Sequence, residues 1–568
     1  MSPAACPLLL LLLCACATAR DGPLAAYVAR GADGRLAVSY AETPLDAAWG
    51  DGRNLTASAS FENSINSTGW AVLGVQTNEA LADELQAYSV GLLEGFLTAD
   101  LIHMYWWNTM RGFCDGREEV CARVQDYLRT NQRWVEDMVA NHSSTQAYWH
   151  QVDLIYKQLK GVADGYASKN QDPSKVLSYN DILWLNLQGD LEDLLDAVDP
   201  ASWLEEPAAV RGGRVPGAGS CSALVKILPD GSDLFVAHDT WSSLQSMLRV
   251  LKKYDFGYRA VNGSGEVVPG RSISFSSYPG VILSNDDFYV TSAGLVTQET
   301  TIGNSDSTRW QFVRPEGQVL EFVRTMVANR LAHSGRSWTK TFGMYNSGTY
   351  NNQWMVVDYK RFWPFQPPAQ QKKGLLWVLE QIPGYVEAAD KTDVLRKQSY
   401  WPSYNSPYFP TVFNMSGLPK LVQKYGSWYS YDHTPRALIF RRDHHKVANM
   451  STMLDLMRYN NYLREPLSKC ACEPRHNAEN TIACRSDLNP ANGTYPFPAL
   501  GHRSHVATDS KATSRALAKD LRFVAVSGPP HGHGVPVFQW NTSDFRDDTP
   551  HLGQPEYWDF KPVTIKWD

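Results

Sequence analysis

The stretch GSCSALVKILPDGSDLFVAHDTW, residues 219–241, contains two short, apolar, β-rich segments on either side of a strong turn signal. The segments are CSALVKIL and DLFVAH, and the intervening PDGS favours a tight reversal of the chain. Both segments are apolar on both faces, so the predicted hairpin needs cover on both sides. We therefore predict an α+β protein in which a sandwich of sheets is covered by helices.

The turn also sets a register. If Leu228 lies opposite Asp233, then Cys221 pairs with Thr240, with His238 one step along on the same face. Cβ atoms of paired residues lie about 5 Å apart, and those of diagonal neighbours about 7–8 Å apart. Asp239 lies between Thr240 and His238, and a one-residue slip would exchange it for His238. The register therefore predicts a thiol, an imidazole, a hydroxyl and a carboxylate at the open end of the hairpin.

Cys221 follows RGGRVPGAGS, residues 211–220, whose glycines and arginines are typical of an exposed, cleavable loop. Cleavage between Ser220 and Cys221 would free an α-amine, with a reference pKa of about 8, beside the sulfur. That amine can act as general base for the thiol nucleophile. The alternative is an inert buried cysteine, but the position after a cleavable loop favours the nucleophile.

The residues before this loop have helical periodicity from about 77 to 160, and a short helix is predicted at 191–198. We therefore predict a helical N-terminal fragment, 20–220, with the cleavable linker 211–220, followed by a catalytic domain, 221–568. Within that domain, TWSSLQSMLRVLKKY (240–254) and GQVLEFVRTMVANRLA (317–332) are predicted helices, whereas RALIFRRD (436–443) is a predicted strand.

The chain has the features of a secretory-pathway protein. Residues 1–19 resemble a signal peptide, and no later stretch approaches the length of a transmembrane helix. The net charge of −6 and the absence of a basic block exclude nucleic acid as an expected partner. Eight sequons predict N-glycosylation at Asn54, Asn66, Asn141, Asn262, Asn414, Asn449, Asn492 and Asn541.

Removal of residues 1–19 leaves six of the nine cysteines. Cys114 and Cys121 are close enough in sequence for a local disulfide in an oxidising compartment. Among Cys470, Cys472 and Cys484 one pair is expected and one thiol remains. The close pair Cys470–Cys472 would be strained, Cys472–Cys484 is at least an equal candidate, and the pairing is left open. Cys221 either pairs with that thiol or is free.

Several histidine pairs invite interpretation as metal ligands, namely His531 with His533, His444 with His445, and His502 with His505. They lack the third ligand of known zinc motifs, so no metal and no cofactor are expected. The strand-to-helix motif of serine lipases, G-x-S-x-G, is absent from the sequence.

Long segments of the chain resemble the phospholipase B-like family. They include GSCSALVKILPD, LFVAHDTW, GLVTQETTIGN, NSGTYNNQWMVVDYK, DHTPRALIFRR and HLGQPEYWDFKPVTIKWD. The resemblance implies an αββα N-terminal-nucleophile hydrolase fold, cleavage before the cysteine, and delivery to the lysosome lumen by the mannose-6-phosphate receptor, with a secreted fraction. It places the family's cysteine at Cys221 and its histidine at His238, while Asp239 stands where part of the family has Asn.

Acyl transfer also needs donors for the oxyanion, and Asn352 in NSGTYNNQW is our candidate. Arg436 is a candidate for holding a carboxylate or phosphate. The predicted function is hydrolysis of an acyl ester or amide, with a lipid or a small amide as substrate. The alternative is a lysosomal glycoprotein with a degenerate site that acts as a binding or scaffold module. The oligomeric state, monomer or homodimer, is left open.

Overall fold

Two β-sheets and the helices around them form the fold. The computed structural model describes residues 23–41, 54–170, 172–199, 221–261, 263 and 265–567. The predicted signal peptide, the linker 211–220 and Asn262 therefore lie outside the described residues. The strands are β1 Leu24–Arg30, β2 Leu36–Ala41, β3 Leu55–Ser64, β4 Trp70–Thr77, β5 Cys221–Ile227, β6 Leu234–Ser242, β7 Val250–Asp255, β8 Ser272–Ser277, β9 Phe288–Thr291, β10 Leu295–Thr301, β11 Asn352–Asp358, β12 Leu376–Ile382, β13 Tyr385–Asp390, β14 Tyr400–Ser403, β15 Val506–Thr513, β16 Val524–Ser527 and β17 Val563–Thr564.

The α-helices are concentrated in two parts of the described chain, before β5 and after β10. They are α1 Ile65–Thr68, α2 Asp83–Leu97, α3 Ala99–Thr109, α4 Glu118–His142, α5 Ala147–Lys169, α6 Tyr179–Asn186, α7 Gln188–Val198, α8 Glu321–Leu331, α9 Gly335–Phe342, α10 Thr392–Gln398, α11 Pro410–Met415, α12 Leu418–Tyr425, α13 Pro435–Asp443, α14 Met450–Met457 and α15 Arg515–Lys519.

The larger sheet has 11 strands in the order β13-β12-β11-β10-β9-β8-β7-β4-β3-β1-β2, and the smaller has six in the order β14-β5-β6-β15-β16-β17. Neighbouring strands are antiparallel except β4 and β7, which run parallel from Ala71 opposite Val250 to Gln76 opposite Asp255. The larger sheet therefore joins strands from both sides of the predicted cleavage site.

This sheet corrects the prediction of a helical N-terminal fragment. Residues 77–160 are indeed largely helical, and α7 covers the short helix predicted at 191–198. Four strands precede these helices, however, and they complete one edge of the larger sheet. In β3, LTASASFENS, apolar residues alternate with polar ones, and this two-residue periodicity indicates a strand that the prediction missed.

Apolar side chains separate the structure into layers. One cluster lies between the sheets and contains Val225 and Val236 from the small sheet with Val290 and Val357 from the large one. The other face of the large sheet packs on α2–α9, and the other face of the small sheet packs on α13 and α14. Every residue of β5 and β6 is buried, which confirms that this hairpin is covered on both faces.

Two of the predicted elements are wrong, for physical reasons. The predicted helix at 240–254 contains β7 instead, because Lys252 is buried in an ion pair with Glu94 (Nζ–Oε1 2.6 Å) and does not form the polar face of a helix. The predicted strand RALIFRRD is α13, in which Pro435 occupies the first turn, where the missing N–H of proline costs nothing. The predicted helix at 317–332 is confirmed by α8.

Candidate functional site

The predicted register of the β5–β6 hairpin is confirmed. Cys221 pairs with Thr240, and Ala223 pairs with His238. The Leu228 N–H donates to the Asp233 carbonyl at 3.0 Å and closes the turn. The sequence therefore placed the thiol, the imidazole and the Thr240 hydroxyl at one end of the hairpin.

A carboxyl group from the large sheet joins the thiol and the imidazole. The Cys221 sulfur, a ring nitrogen of His238 and a carboxyl oxygen of Glu299 on β10 lie within 4.8 Å of one another, and all three residues are buried. The His238 Nε2–H donates to the Glu299 backbone carbonyl at 2.9 Å. This bond leaves Nδ1 as the acceptor nitrogen, and it has no hydrogen-bond partner among the described residues.

Asp239 does not take part in this group, which corrects the prediction that its carboxylate converges there. Adjacent residues of a strand point to opposite faces, so Asp239 faces away from Cys221, and it pairs in register with Ser222 and Ser510. Burial raises the pKa of the Asp239 carboxyl well above its usual value.

The Thr240 side chain belongs instead to a buried ionic network. Its hydroxyl donates to Asp286 at 2.8 Å and accepts from Lys511 at 2.6 Å. Lys511 also donates to Asp286 at 2.9 Å and to Asp509 at 2.7 Å. Arg249 pairs with both carboxylates. Two cations and two anions therefore balance one another beneath the Cys221 end of the hairpin.

Two side chains hold the backbone of Cys221. Its N–H donates to Asn405 Oδ1 at 2.9 Å, and its carbonyl accepts from Arg436 Nη1 at 2.5 Å. Arg436 Nη1 also donates to Asn405 Oδ1 at 2.8 Å, and its guanidinium lies 4.3 Å from the centre of a Trp241 ring. The structure therefore brings Arg436 to Cys221, where it contacts main-chain atoms of the candidate nucleophile.

Asn352 lies at the start of β11, paired with Thr301 of β10. Its side chain is buried, and neither amide atom has a hydrogen-bond partner among the described residues. The Thr301 carbonyl accepts from Asn405 Nδ2 at 2.7 Å, which links this strand pair to the residue that holds the Cys221 N–H. An unpartnered buried amide is costly and is suited to receiving an acceptor atom from a ligand.

The protonation states follow from burial. Burial and the nearby Glu299 carboxyl raise the pKa of the Cys221 thiol well above its usual value, so the thiol is protonated at neutral pH in the uncleaved chain. Burial and the Lys511 charge hold the pKa of His238 well below its usual range, so the imidazole is neutral.

A cluster of carboxyl groups with few cations surrounds this centre. Burial raises the pKa of Glu299 and Glu321 well above the usual value and that of Asp287 to about 7. The Tyr350 hydroxyl lies 3.4 Å from Glu299 Oε1. Glu299 Oε2 and Asp287 Oδ2 have no hydrogen-bond partner within the described chain. These groups are neutral acids at mildly acidic pH.

Four residues of the site were not predicted from the sequence: Asn405, Glu299, Asp286 and Lys511. Glu299 lies in the quoted segment GLVTQETTIGN, so a family motif contained it without indicating its role. Asn405 has a backbone φ of 64°, and asparagine tolerates this left-handed conformation better than most residues. Nothing in its local sequence, SYNSPY, indicates contact with Cys221, which is distant in the chain.

The cysteine predictions are resolved as follows. Cys114 and Cys121 form a disulfide, as expected. Cys470 pairs with Cys472, which decides the pairing that the sequence left open. Cys484 is buried beside His505, where its thiol contacts the ring nitrogen (Sγ–Nδ1 3.7 Å). Cys221 is not disulfide-bonded in the described structure.

All the sequon asparagines in the described residues are exposed, which is the accessibility that N-glycosylation requires: Asn54, Asn66, Asn141, Asn414, Asn449, Asn492 and Asn541. A second group of metal-type ligands, Glu479, Cys484 and His505, is also buried.

In the described part of the chain, no helix combines the length and apolar character needed to cross a bilayer.

The fold and site define an α+β protein with a buried cysteine–histidine–carboxyl centre. A model of the Phospholipase B family matches residues 57–565. The proteins named "Putative phospholipase B-like 2" of Bos taurus and Homo sapiens are each 49% identical over 528 residues, which cover 91% of this chain and 87% of each relative. "Putative phospholipase B-like 1" of Caenorhabditis elegans is 45% identical over 516 residues, covering 90% of this chain and 87% of the relative. The chain belongs to the phospholipase B family.

Proposed function

We propose that this chain is a cysteine hydrolase of the N-terminal-nucleophile type, activated by cleavage between Ser220 and Cys221. It cleaves acyl ester or amide bonds. The observation that carries the proposal is the position of Cys221, a thiol outside any disulfide at the first residue of β5, with its main-chain nitrogen bound to Asn405. The helices outside both sheets and the apolar layer between them support an αββα fold of this class.

Cleavage proceeds by attack of the Cys221 sulfur on the Ser220 carbonyl carbon. The peptide C–N bond breaks, the departing nitrogen takes the thiol proton, and water hydrolyses the resulting thioester. The freed α-amine stays beside Asn405 Oδ1, the acceptor that the main-chain N–H already uses. The amine is then available as general base for the next acyl transfer.

Substrate hydrolysis repeats this chemistry on another molecule. The sulfur attacks the substrate carbonyl, the α-amine passes the thiol proton to the leaving alcohol or amine, and water releases the acid from the thioester. Asn352 supplies a side-chain N–H to the oxyanion, since its amide is unused within the described chain. His238, fixed by the Glu299 carbonyl, orients the sulfur.

We further propose the lysosome lumen as the site of action, reached after N-glycosylation and mannose-6-phosphate recognition. The exposed sequon asparagines support this route. The acid groups of the site also support it, because burial raises the pKa of Glu299 well above its usual value and that of Asp287 to about 7, so both are neutral in an acidic compartment.

A second candidate is a glycoprotein that binds ligands without catalysis. The observation in its favour is the burial of Cys221, only 3% exposed, with a thiol pKa raised by that burial. Under this alternative, cleavage in residues 211–220 is incidental and does not depend on the thiol.

The start of the large fragment distinguishes these candidates. We expect wild type and Cys221→Ser to yield a fragment beginning at residue 221, and Cys221→Ala to remain uncut at that bond. Cys484→Ala removes the other buried free thiol and is the matched control; it should behave as wild type. Mass spectrometry of the fragments identifies the first residue of the large fragment in each variant. Ragged ends within 211–220 that are the same in all variants would establish incidental cleavage.

Activity is then measured on the processed protein. Fluorogenic N-acyl amides, carboxylic esters and phospholipid vesicles are compared, with trapping of the acyl group on Cys221 as a second readout. An acyl adduct at Cys221 supports the hydrolase, and the preferred substrate identifies the linkage. Processed protein that neither turns over these substrates nor forms an adduct would favour the binding module.

A further inference from the structure

The Cys221–His238–Glu299 group has the composition of a metal site. A thiolate, an imidazole and a carboxylate are the three protein ligand types that Zn²⁺ prefers. Their ligand atoms lie within 4.8 Å of one another, and the three residues are buried. Ligand atoms on one zinc ion are roughly 3.5 Å apart, given metal–ligand bonds of about 2.0–2.3 Å. Small side-chain rotations close the difference.

Two of the three members have a donor atom that no other described residue uses. Cys221 is not in a disulfide, and His238 Nδ1 and Glu299 Oε2 have no hydrogen-bond partner in the described chain. Buried polar atoms are usually satisfied, so two unpartnered ligand-type atoms beside a thiol outside any disulfide point to an external ligand.

The surroundings of the group fit the second shell of a metal centre. Metal-binding histidines usually donate their other ring N–H to a carbonyl or carboxylate, which fixes the ring and exposes the free nitrogen. His238 does this through Nε2, to the Glu299 backbone carbonyl at 2.9 Å. The Tyr350 hydroxyl, 3.4 Å from Glu299 Oε1, orients the carboxyl group in the same way.

The charge balance also favours a cation. Lys511 and Arg249 are already matched by Asp286 and Asp509. Arg436, the third positive group near the site, is bound to the Cys221 carbonyl and to Asn405 Oδ1. Glu299 has no ion pair among the described residues. A divalent cation with one thiolate and one carboxylate forms a neutral group, so metal binding leaves no net charge buried at the site.

The other Cys/His/Glu group does not have these properties. Glu479 accepts from Arg503 Nη2 at 3.1 Å and from the Ser486 hydroxyl. Arg503 Nη2 also lies 3.4 Å from His505 Nδ1, so a guanidinium already occupies the place of a cation between them. This group is therefore a poorer metal site than the group at Cys221.

We propose that Cys221, His238 and Glu299 bind a thiophilic divalent cation of the Zn²⁺ type, and that the bound ion blocks the Cys221 sulfur. On binding, the thiol proton and any carboxyl proton of Glu299 pass to solvent, and no redox step is involved. The cation is an inhibitor, because it occupies the electron pair that nucleophilic attack requires. Binding itself does not depend on the proposed hydrolase; only the inhibitory consequence does.

The test uses Co²⁺ as a spectroscopic probe on the full-length glycoprotein carrying Cys484→Ala, which removes the thiol of the second group. We expect one equivalent of Co²⁺ to produce a thiolate-to-metal charge-transfer band, and Zn²⁺ to abolish it by displacement. Adding Glu299→Gln should weaken Co²⁺ binding about ten-fold or more. Glu321→Gln, a neighbouring buried carboxyl outside the group, is the matched control and should bind as the parent does.

Alkylation of Cys221 provides a second readout that does not require a ligand variant. With Cys221 labelled by iodoacetamide and quantified by mass spectrometry, Zn²⁺ should protect the thiol and a chelator should restore labelling. No thiolate band together with no protection by Zn²⁺ would overturn the proposal. A band that persists after Cys221→Ala, or unchanged affinity in folded Glu299→Gln, would also overturn it. A metal site in a protein that stays uncut at residue 221 even after a chelator has removed the metal would refute the hydrolase but leave the site standing.

Discussion

At the scale of single residues, Asn405 connects three parts of the site. Its Oδ1 accepts from the Cys221 N–H and from Arg436, and its Nδ2 donates to the Thr301 carbonyl. One amide therefore ties the start of β5 to β10 and α13. Its left-handed backbone, φ 64°, directs the side chain of a loop residue to this position.

Replacement of Asn405 should slow the chemistry of Cys221. Asn405→Gly keeps the positive φ but removes the acceptor, and loss of a buried hydrogen bond costs about 1–3 kcal/mol. Cleavage before Cys221 and its acylation should slow by about ten-fold or more, measured by fragment appearance and by mass spectrometry of the adduct. Asn405→Asp retains the acceptor oxygen and is the control, with the smaller loss expected. Equal rates in Asn405→Gly and wild type would contradict this role.

At the scale of secondary structure, α7 supports the loop that leads to Asn352. Asp190 accepts from the N–H groups of Glu321 (3.1 Å) and Phe322 (3.3 Å), the first residues of α8. Leu320, at the N-cap position of α8, offers no side-chain acceptor, so Asp190 caps the helix from another element. Asp193 holds the loop itself by accepting from the Asn351 amide at 3.0 Å.

Loss of the Asp190 cap should destabilise the fold. Asp190→Ala leaves buried N–H groups and the Thr349 hydroxyl without their acceptor, at a cost of about 2–4 kcal/mol. Urea unfolding followed by tryptophan fluorescence measures the change. Asp126→Ala, which removes an exposed pair with Arg129 on α4, is the control, with a change within about 0.5 kcal/mol. A similar small change in Asp190→Ala would contradict the capping role.

At the scale of the whole molecule, the two halves of the chain share one sheet. β4 from the first half pairs with β7 from the second through six residue pairs. Glu94 of α2 pairs with Lys252 of β7 in the interior. Both disulfides of the described chain lie within one half, since they join Cys114 to Cys121 and Cys470 to Cys472.

The two fragments should therefore stay together after cleavage, without a covalent link. We expect them to elute as one species in native size-exclusion chromatography and to separate in denaturant without reductant. The physical reason is that separation would expose the unpaired edge of β7 and the apolar faces of the sheet. Separate elution under native conditions, at protein concentrations well above those of the assay, would contradict this expectation.

The buried acids predict a pH dependence of stability. Burial raises the pKa of Asp193 to about 8, and that of Asp287 and Glu380 to about 7, above the unfolded values of about 4. Between pH 6.5 and 8 the folded state therefore binds more protons than the unfolded state, so stability falls as pH rises. Histidines with lowered pKa act in the opposite direction, but their effect fades as pH rises above about 6.5, because the unfolded imidazoles lose their protons there.

Melting temperature should accordingly fall from pH 6.5 to pH 8, as measured by scanning fluorimetry at constant ionic strength. Glu380→Gln replaces one of these acids by a neutral amide and should make the fall shallower. Asp126→Ala, an exposed carboxylate variant, should reproduce the wild-type slope. A melting temperature that rises over this range would show that the buried acids do not control it.

The local sequence was sufficient to predict the hairpin and its contents. A strong turn and two apolar segments fix the pairing of Cys221 with Thr240 because a two-residue periodicity leaves no freedom once the turn closes. The same kind of local information predicted α5 and the Cys114–Cys121 disulfide, whose partners are near in sequence.

The errors arose where long-range contacts override local preference. In the sequence, Lys252 suggests the polar face of a helix at 240–254. In the structure Lys252 is buried and paired with Glu94, and this part of the chain forms strand β7. Spacing alone left the partner of Cys472 open, whereas the fold pairs it with Cys470 and places Cys484 against His505.

The sequence by itself determined the candidate nucleophile, its register with His238 and Thr240, and the family to which the chain belongs. Tertiary structure alone decided which carboxyl group faces the thiol, that Asn405 binds its nitrogen, and that strands from both halves form one sheet. The reason is physical: a turn acts over a few residues, whereas Glu299 and Asn405 reach Cys221 only when separate strands pack together.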